Sequence, residues 1–433
     1  MTITKMPAHF RRNFVCLTLD FCFFGIALAF VGQSTVIPGL LTDLGASTAL
    51  IGLMSTLQRA GWLLPQLVAA RYVASKPLKK PYILVPGGIS RPLLLVIAAL
   101  LWATHGEPRQ LVIGLVMGLM TLFWVGDGLA SLPWFDFLSK AIPPQRRGRL
   151  TGAGQVLSGL FGFAAGFAVE WLLGKGGPAF PGNYAVLFSI AFAMLAGSWI
   201  AISLGKEEAG CARTHMPRWR DYVPQLLRVV RQDQGFRQYL IARQVFNLSA
   251  LAAPFYMTYA LEELGYPSQV AGRYTSIGVV GAILAAILFG WANERKGTKR
   301  ASQYGILLTA LIPAMALIVP QILPDGEWAA WAYGLVFFAN SAAMSSYLPG
   351  WTAYLLELAP EAERPLYVGL TNTLNGITTL FSTVGGLLLQ WTGNNYRLLF
   401  IVTILGTLAA LPLSARMPEP RTMDVVNPSR AET

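Results

Sequence analysis

Residues 290–300 read Gly290-Trp291-Ala292-Asn293-Glu294-Arg295-Lys296-Gly297-Thr298-Lys299-Arg300. The stretch crowds one acid and four bases into a single turn between two long apolar runs, 272–292 and 302–323. Gly297 permits a tight reversal, and the lysines and arginines suit a turn held at anionic headgroups. Such a turn acquires a meaning only if the runs on either side of it cross a bilayer.

The composition says that they do. The chain has 433 residues with only 12% charged, a mean hydropathy of +0.50, and apolar runs throughout. About 20 apolar residues are needed for a helix to cross a ~30 Å hydrocarbon core, and inside lipid the backbone satisfies itself only as a helix or a closed barrel. Twelve runs qualify: 14–37, 48–70, 82–103, 111–132, 150–173, 184–204, 238–260, 272–292, 302–323, 329–349, 366–390 and 397–415. The sequence therefore predicts an all-α polytopic membrane protein with twelve transmembrane helices.

The net charge of +12 does not point to nucleic acid, because its distribution has a simpler explanation. Arg109, Lys175, Arg273 and Arg397 fall on the outer side, Arg59, Arg91 and Arg243 fall inside apolar runs, and every other lysine or arginine falls on one face. That is the positive-inside bias, which places both termini in the cytoplasm. Cys16, Cys22 and Cys211 form no disulfide framework and are expected as free thiols. The first run is long and lacks a small-residue cleavage site, so it is expected to stay as a helix rather than be removed as a signal.

The halves repeat. A shift of 220 carries Leu44-Gly45 onto Leu264-Gly265, Gly52 onto Gly272 and Lys79-Lys80 onto Lys299-Arg300; a shift of 217 carries Trp134 onto Trp351, Pro143 onto Pro360, Arg147 onto Arg364 and Gly152 onto Gly369. With this repeat in place, the opening turn, G-x-x-x-[D/E]-R-x-G-x-[K/R]-[K/R], resembles the loop motif of the major facilitator superfamily of secondary transporters. The resemblance spans nearly the whole chain. It implies two pseudo-symmetric six-helix bundles that rock about a midplane cavity: an N-terminal bundle 1–204, a cytoplasmic connector 205–236, a C-terminal bundle 237–415 and a disordered cytoplasmic tail 416–433. It also implies a monomer in the bilayer, here the inner membrane of a bacterium. In the superfamily the motif acts as a cytoplasmic latch, which assigns that role here to Gly290, Glu294, Arg295 and Gly297, with Glu294 facing Arg149 or the start of the fifth helix. In the N-terminal copy, residues 70–80, the acid is replaced by Ala74 and the second glycine by Pro77.

Ionisable residues inside spans are costly and mark candidate sites. Asp20 and Arg243 stand at similar depths in the first and seventh helices, counterparts in the two halves, and are expected either to pair or to bind opposite ends of a solute. Arg59, in the middle of the second helix, offers forked donors to a carboxylate or phosphate. Arg91 either faces the cavity or snorkels. Gln155 and Ser158 on the fifth helix match Asn372 and Asn375 on the eleventh under the 217 shift, and their three-residue spacing puts each pair on one face; they are read as cavity lining, against helix packing as the plainer alternative. No histidine lies within a span, so Asp20 and Asp127 are the candidates for carrying protons. Glu170, near the outer end of the fifth helix, is a further candidate, against a solvated rim residue as the plainer alternative.

No Walker loop, H-E-x-x-H or cysteine–histidine cluster is present, which argues against ATP-driven transport, metal chemistry and a soluble enzyme site, and leaves no cofactor expected. The reading that results is a secondary transporter of a small polar solute, with an anionic one favoured by the arginines, coupled to protons. Efflux of amphipathic compounds and a non-transporting membrane assembly factor or sensor are the alternatives.

Overall fold

A computed structural model describes residues 9–74, 76–174, 176–209, 228–323, 326–360 and 363–420. The predicted Cys211, the middle of the connector and the end of the tail lie outside the described residues. Those described form helices and no strand.

The helices follow the apolar runs, with breaks that composition does not announce. The first run is two helices, α1 (Phe10–Val31) and α2 (Val36–Asp43), divided at Gly32. Gly32 has φ +52° and its N–H bonds the carbonyl of Leu28, a left-handed cap that a residue with a Cβ adopts with strain. Then come α3 (Thr48–Ala74), α4 (Pro81–Ser90) and α5 (Pro92–Thr104). Arg91 stands at the α4–α5 joint, where Pro92 cannot donate to the preceding turn. α6 (Arg109–Ala141), α7 (Pro144–Leu173) and α8 (Gly182–Leu204) complete the first half.

In the second half the seventh span is α9 (Gln234–Phe246), a 3₁₀ turn at Asn247–Leu251 and α10 (Phe255–Glu262). Asp233 starts α9 by accepting a 2.9 Å bond from Phe236 N, the usual role of aspartate at a helix start. α11 (Val270–Lys296) and α12 (Thr298–Ile322) meet at Gly297, whose φ of +88° realises the predicted reversal. α13 (Glu327–Ser345) runs into a π turn at Leu348–Thr352 and α14 (Ala353–Leu358). α15 (Arg364–Thr378), α16 (Phe381–Trp391), α17 (Tyr396–Leu408) and α18 (Ala410–Ala415) close the chain.

Among the described residues, eight helical segments are long and apolar enough on their own to cross a membrane. The other four expected spans are α3 and the interrupted seventh, tenth and eleventh. The surface is that of a membrane protein: Val85, Ile89, Ile287, Leu288 and Leu405 are more than 60% exposed, where a soluble protein would place polar residues. Trp102, Trp171, Trp328 and Trp391 are exposed at the charge-poor ends of their spans, the level at which indole rings settle at a bilayer interface.

The chain divides into two compact units. The first comprises residues 1–46, 57–216 and 267–276, the second residues 47–56, 217–266 and 277–433. In the first, α1 packs along α7 and α8, α4 along α6, and α5 along α8. Small residues make these approaches close: a Cβ placed on Gly25 of α1 would lie 2.4 Å from that of Ser158 on α7. The second unit has an aromatic core, with Tyr239 stacked on Tyr354 at 5.5 Å and Phe236 4.3 Å from Tyr367.

The predicted tail is corrected at its start. Residues 416–420 pack on the second unit: Met417 is buried, Lys299 Nζ donates to the carbonyls of Ala415 and Met417 at 2.9 and 2.6 Å, and Tyr354 donates to that of Pro418 at 2.8 Å. Lys299, expected at headgroups, is used as an internal clamp instead.

Candidate functional site

The first unit encloses a cluster of charged groups among three spans. Asp20, 4% exposed on α1, accepts a 2.7 Å bond from the Trp134 indole on α6 and another from the Ser198 hydroxyl on α8. Arg91 donates from Nη1 to the Leu195 carbonyl at 2.9 Å and interacts electrostatically with both Asp20 and Asp127. Trp62 on α3 bonds Asp127 in turn. One guanidinium thus serves two carboxylates. Arg91 faces the interior of its unit rather than snorkelling, because the α4–α5 joint points it there.

The second unit carries a different cluster. Arg243 on α9 is 3% exposed, and its guanidinium carbon lies 3.9 Å from the ring centre of Tyr347, 5.1 Å from that of Trp351 and 5.4 Å from that of Phe246. Beside it lies a patch of amides: Asn247 donates to Asn375 at 3.0 Å and to Thr378 at 2.7 Å, and Gln244 reaches Asn375 at 3.5 Å. The repeat-related tryptophans, Trp134 and Trp351, therefore each meet the ionisable residue of the first helix of their half, one as a donor to a carboxylate, the other as a face for a cation.

Asp20 and Arg243, expected to pair or to bind opposite ends of a solute, each have contacts inside their own unit. Ser158 belongs with the packing alternative, since it wedges against Gly25 and its hydroxyl bonds the Gln155 carbonyl. Gln155, Asn372 and Arg59 are exposed side chains, and Asn375 is half-buried within the amide patch. Gln244, Asn247, Tyr347, Trp351 and Ser198 were not singled out by sequence as site residues. The matched pair Trp134 and Trp351 carried a signal for Trp351 alone.

At the basic ends the structure changes two expectations. Glu170, a candidate whose plainer reading is a solvated rim residue, accepts 2.7 and 3.1 Å bonds from Arg273, whose side chain is only 9% exposed; this pair lies at the charge-poor end of the first unit. The acid missing at Ala74 is supplied from elsewhere in the sequence. Glu207, its side chain 2% exposed, accepts from the backbone N–H groups of Lys79 at 2.7 and 2.8 Å and of Lys80 at 2.7 Å, and from Lys140 Nζ at 2.9 Å. Lys79 and Lys80 lie just outside the spans, and burial pushes both ammonium groups below the ordinary lysine range. In the second copy of the turn, Arg295 lies 5.2 Å from the Trp291 ring centre, a Cβ on Gly290 would meet no described atom within 4 Å, and Glu294 is exposed, as is Arg149 in the other unit.

Similarity to known proteins follows the same lines. The family model described as Major Facilitator Superfamily matches residues 239–432. An uncharacterized protein of Mycobacterium tuberculosis is 25% identical over 307 residues, and a counterpart in Mycobacterium bovis matches equally; the alignment covers 70% of this chain and 57% of each relative. The chain thus spans little more than half the length of the curated relatives it matches. Among solved structures, a nucleoside transporter superposes with a TM-score of 0.70 at 14% identity, covering 94% of this chain and 99% of that one. A D-xylose–proton symporter gives 0.67 at 16% identity, covering 95% and 99%, and a bacterial metal transporter gives 0.65 at 12% identity, covering 96% and 99%. The fold is shared with these polytopic membrane proteins. The family match covers the second half of the chain, and the solved structures share its fold over nearly the whole of it.

Proposed function

We propose that the chain is a secondary active transporter that moves a small polar solute by alternating access and couples that movement to protons. The observation that carries this reading is the set of buried Asp20 with half-buried Arg91 and Asp127, in which two carboxylates compete for one guanidinium. A group so placed changes its charge state when its partner is withdrawn or returned, which is what coupling requires. Isolated intramembrane charges are otherwise selected against, so a structure that keeps three of them has a use for them. The amide patch of Gln244, Asn247 and Asn375, with Arg243 beside it, supplies the polar contacts for the solute; Arg59, Gln155 and Asn372 remain further candidates by their exposed side chains. Glu294 and Arg149 are both exposed, as the latch role proposed for them requires.

The sidedness belongs to the same proposal. Basic residues on one face and exposed tryptophans at the opposite, charge-poor ends support cytoplasmic termini, and bacterial relatives support the inner membrane.

Proteoliposomes containing only the purified chain and an internal pH dye provide the test. A transported solute is expected to drive a proton flux that disappears in Asp20→Asn and in Asp127→Asn. If solute-driven proton flux persisted in the double variant, coupling through these carboxylates would be refuted.

A further inference from the structure

Among the buried side-chain atoms of the second unit without a hydrogen-bond partner are two nitrogen donors that lie together. Arg243 Nη1 and Trp351 Nε1 are both shielded from solvent and both lack a hydrogen-bond partner, and both belong to the same cage, with the guanidinium carbon 5.1 Å from the Trp351 ring centre. The cage walls are the rings of Tyr347, Trp351 and Phe246. No acidic side chain among the described residues forms an ion pair with Arg243. A buried cation without a counter-charge is unfavourable, and ring faces return only part of what hydration supplied.

The backbone around the cage is irregular on both sides. Trp351 lies in the π turn Leu348–Thr352, and Asn247, directly after α9, starts the 3₁₀ turn. Such departures inside a span are expected where the helix is shaped around something other than its own packing. Asn247 presents its amide to Tyr347 and Asn375 alongside, so a polar surface continues from the cage.

The geometry points to a site for the carboxylate group of an organic monoanion, held between Arg243 and Trp351, with the rest of the solute against Asn247 and Asn375. This deepens the transport reading and rests on it for the direction in which the solute then moves. The class follows from the donors. Two unused N–H groups match the two oxygens of a carboxylate, and a single guanidinium neutralises one negative charge. A dianionic phosphate would leave a second charge among aromatic walls, and a cationic compound would add to the one already there.

The test uses the purified full chain in nanodiscs and a thermal-shift panel of acetate, benzoate and phenylacetate, each against its amide, with inorganic phosphate beside them. Wild type, Arg243→Gln and Trp351→Phe are compared. Without ligand, Arg243→Gln is expected to melt no lower than wild type, because it removes an uncompensated buried charge; a structural pillar would melt lower, and that result would overturn the inference. At least one carboxylate is expected to raise the melting temperature of wild type while its amide and phosphate do not. That shift should vanish in Arg243→Gln, and Trp351→Phe should weaken binding at least about tenfold. A shift that survives in Arg243→Gln, equal shifts from amides or phosphate, or silence from all three carboxylates would each overturn it. Carboxylate binding without flux in the liposome assay would instead remove the transport reading and leave this one standing.

Discussion

Glu207→Ala should loosen the basic end of the first unit far more than its position in an extended segment suggests. The carboxylate accepts from two backbone N–H groups and one ammonium, with its side chain 2% exposed. Hydrogen bonds to a charged group contribute about 1.5–3 kcal/mol each. The Lys140 side chain is 24% exposed and can turn to water, so its share is discounted. What remains is about 3–5 kcal/mol, the usual consequence of removing one partner from a buried charged set. For a unit of this size that corresponds to a melting temperature lower by roughly 6–20 °C. Glu207→Gln keeps one acceptor oxygen and should lose about half as much. The neighbouring Glu208 is exposed, and Glu208→Ala should stay within about 0.5 kcal/mol of wild type. Thermal melts in nanodiscs read the magnitude, and hydrogen exchange at the amides of Lys79 and Lys80 reads the location, since those two should lose protection first. If Glu207→Ala and Glu208→Ala melted alike, with both amides still protected, the carboxylate would not be holding this end together.

Two further outcomes are expected. Glu170→Gln should lower stability by about 1.5–3 kcal/mol, and the reversed pair Glu170→Arg with Arg273→Glu should recover part of that; a double-mutant cycle with no coupling would remove the pair's significance. Because burial holds Lys79 below the ordinary lysine range, the penalty of keeping it charged is fully present at neutral pH. It is relieved as pH rises through its lowered value towards about 10.4, so the melting temperature should climb across that window more steeply in wild type than in Lys79→Met.

Sequence carried the architecture further than it carried the site. Apolar runs of bilayer length leave the backbone no alternative to helix, and the offsets of 217 and 220 revealed the duplication because they linked residues of unusual kind, such as Trp134 with Trp351. Asp20 and Arg243 stood out for the same reason, as charges where charge is rare. Their partners did not. Trp134 and Ser198 reach Asp20 from helices 114 and 178 residues away, and nothing in local spacing encodes such meetings. The interruptions at Asn247–Leu251 and Leu348–Thr352 were hidden for a related reason: a helix changes its winding in response to neighbours, while its composition stays apolar. Glu207 shows the limit most plainly. The motif's missing acid was looked for at Ala74, in register, and it arrives from the end of the sixth span instead.

The clamp at the close of the chain bears on how the protein is made. Lys299 is synthesised more than a hundred residues before Ala415 and Met417, whose carbonyls it holds, and Tyr354 waits in the same way for Pro418. These bonds cannot form until residues 415–418 have been synthesised. The second unit can therefore insert its helices one by one, but its basic end closes only after residues 415–418 have emerged, and a chain stopped before Ala415 would lack that seal.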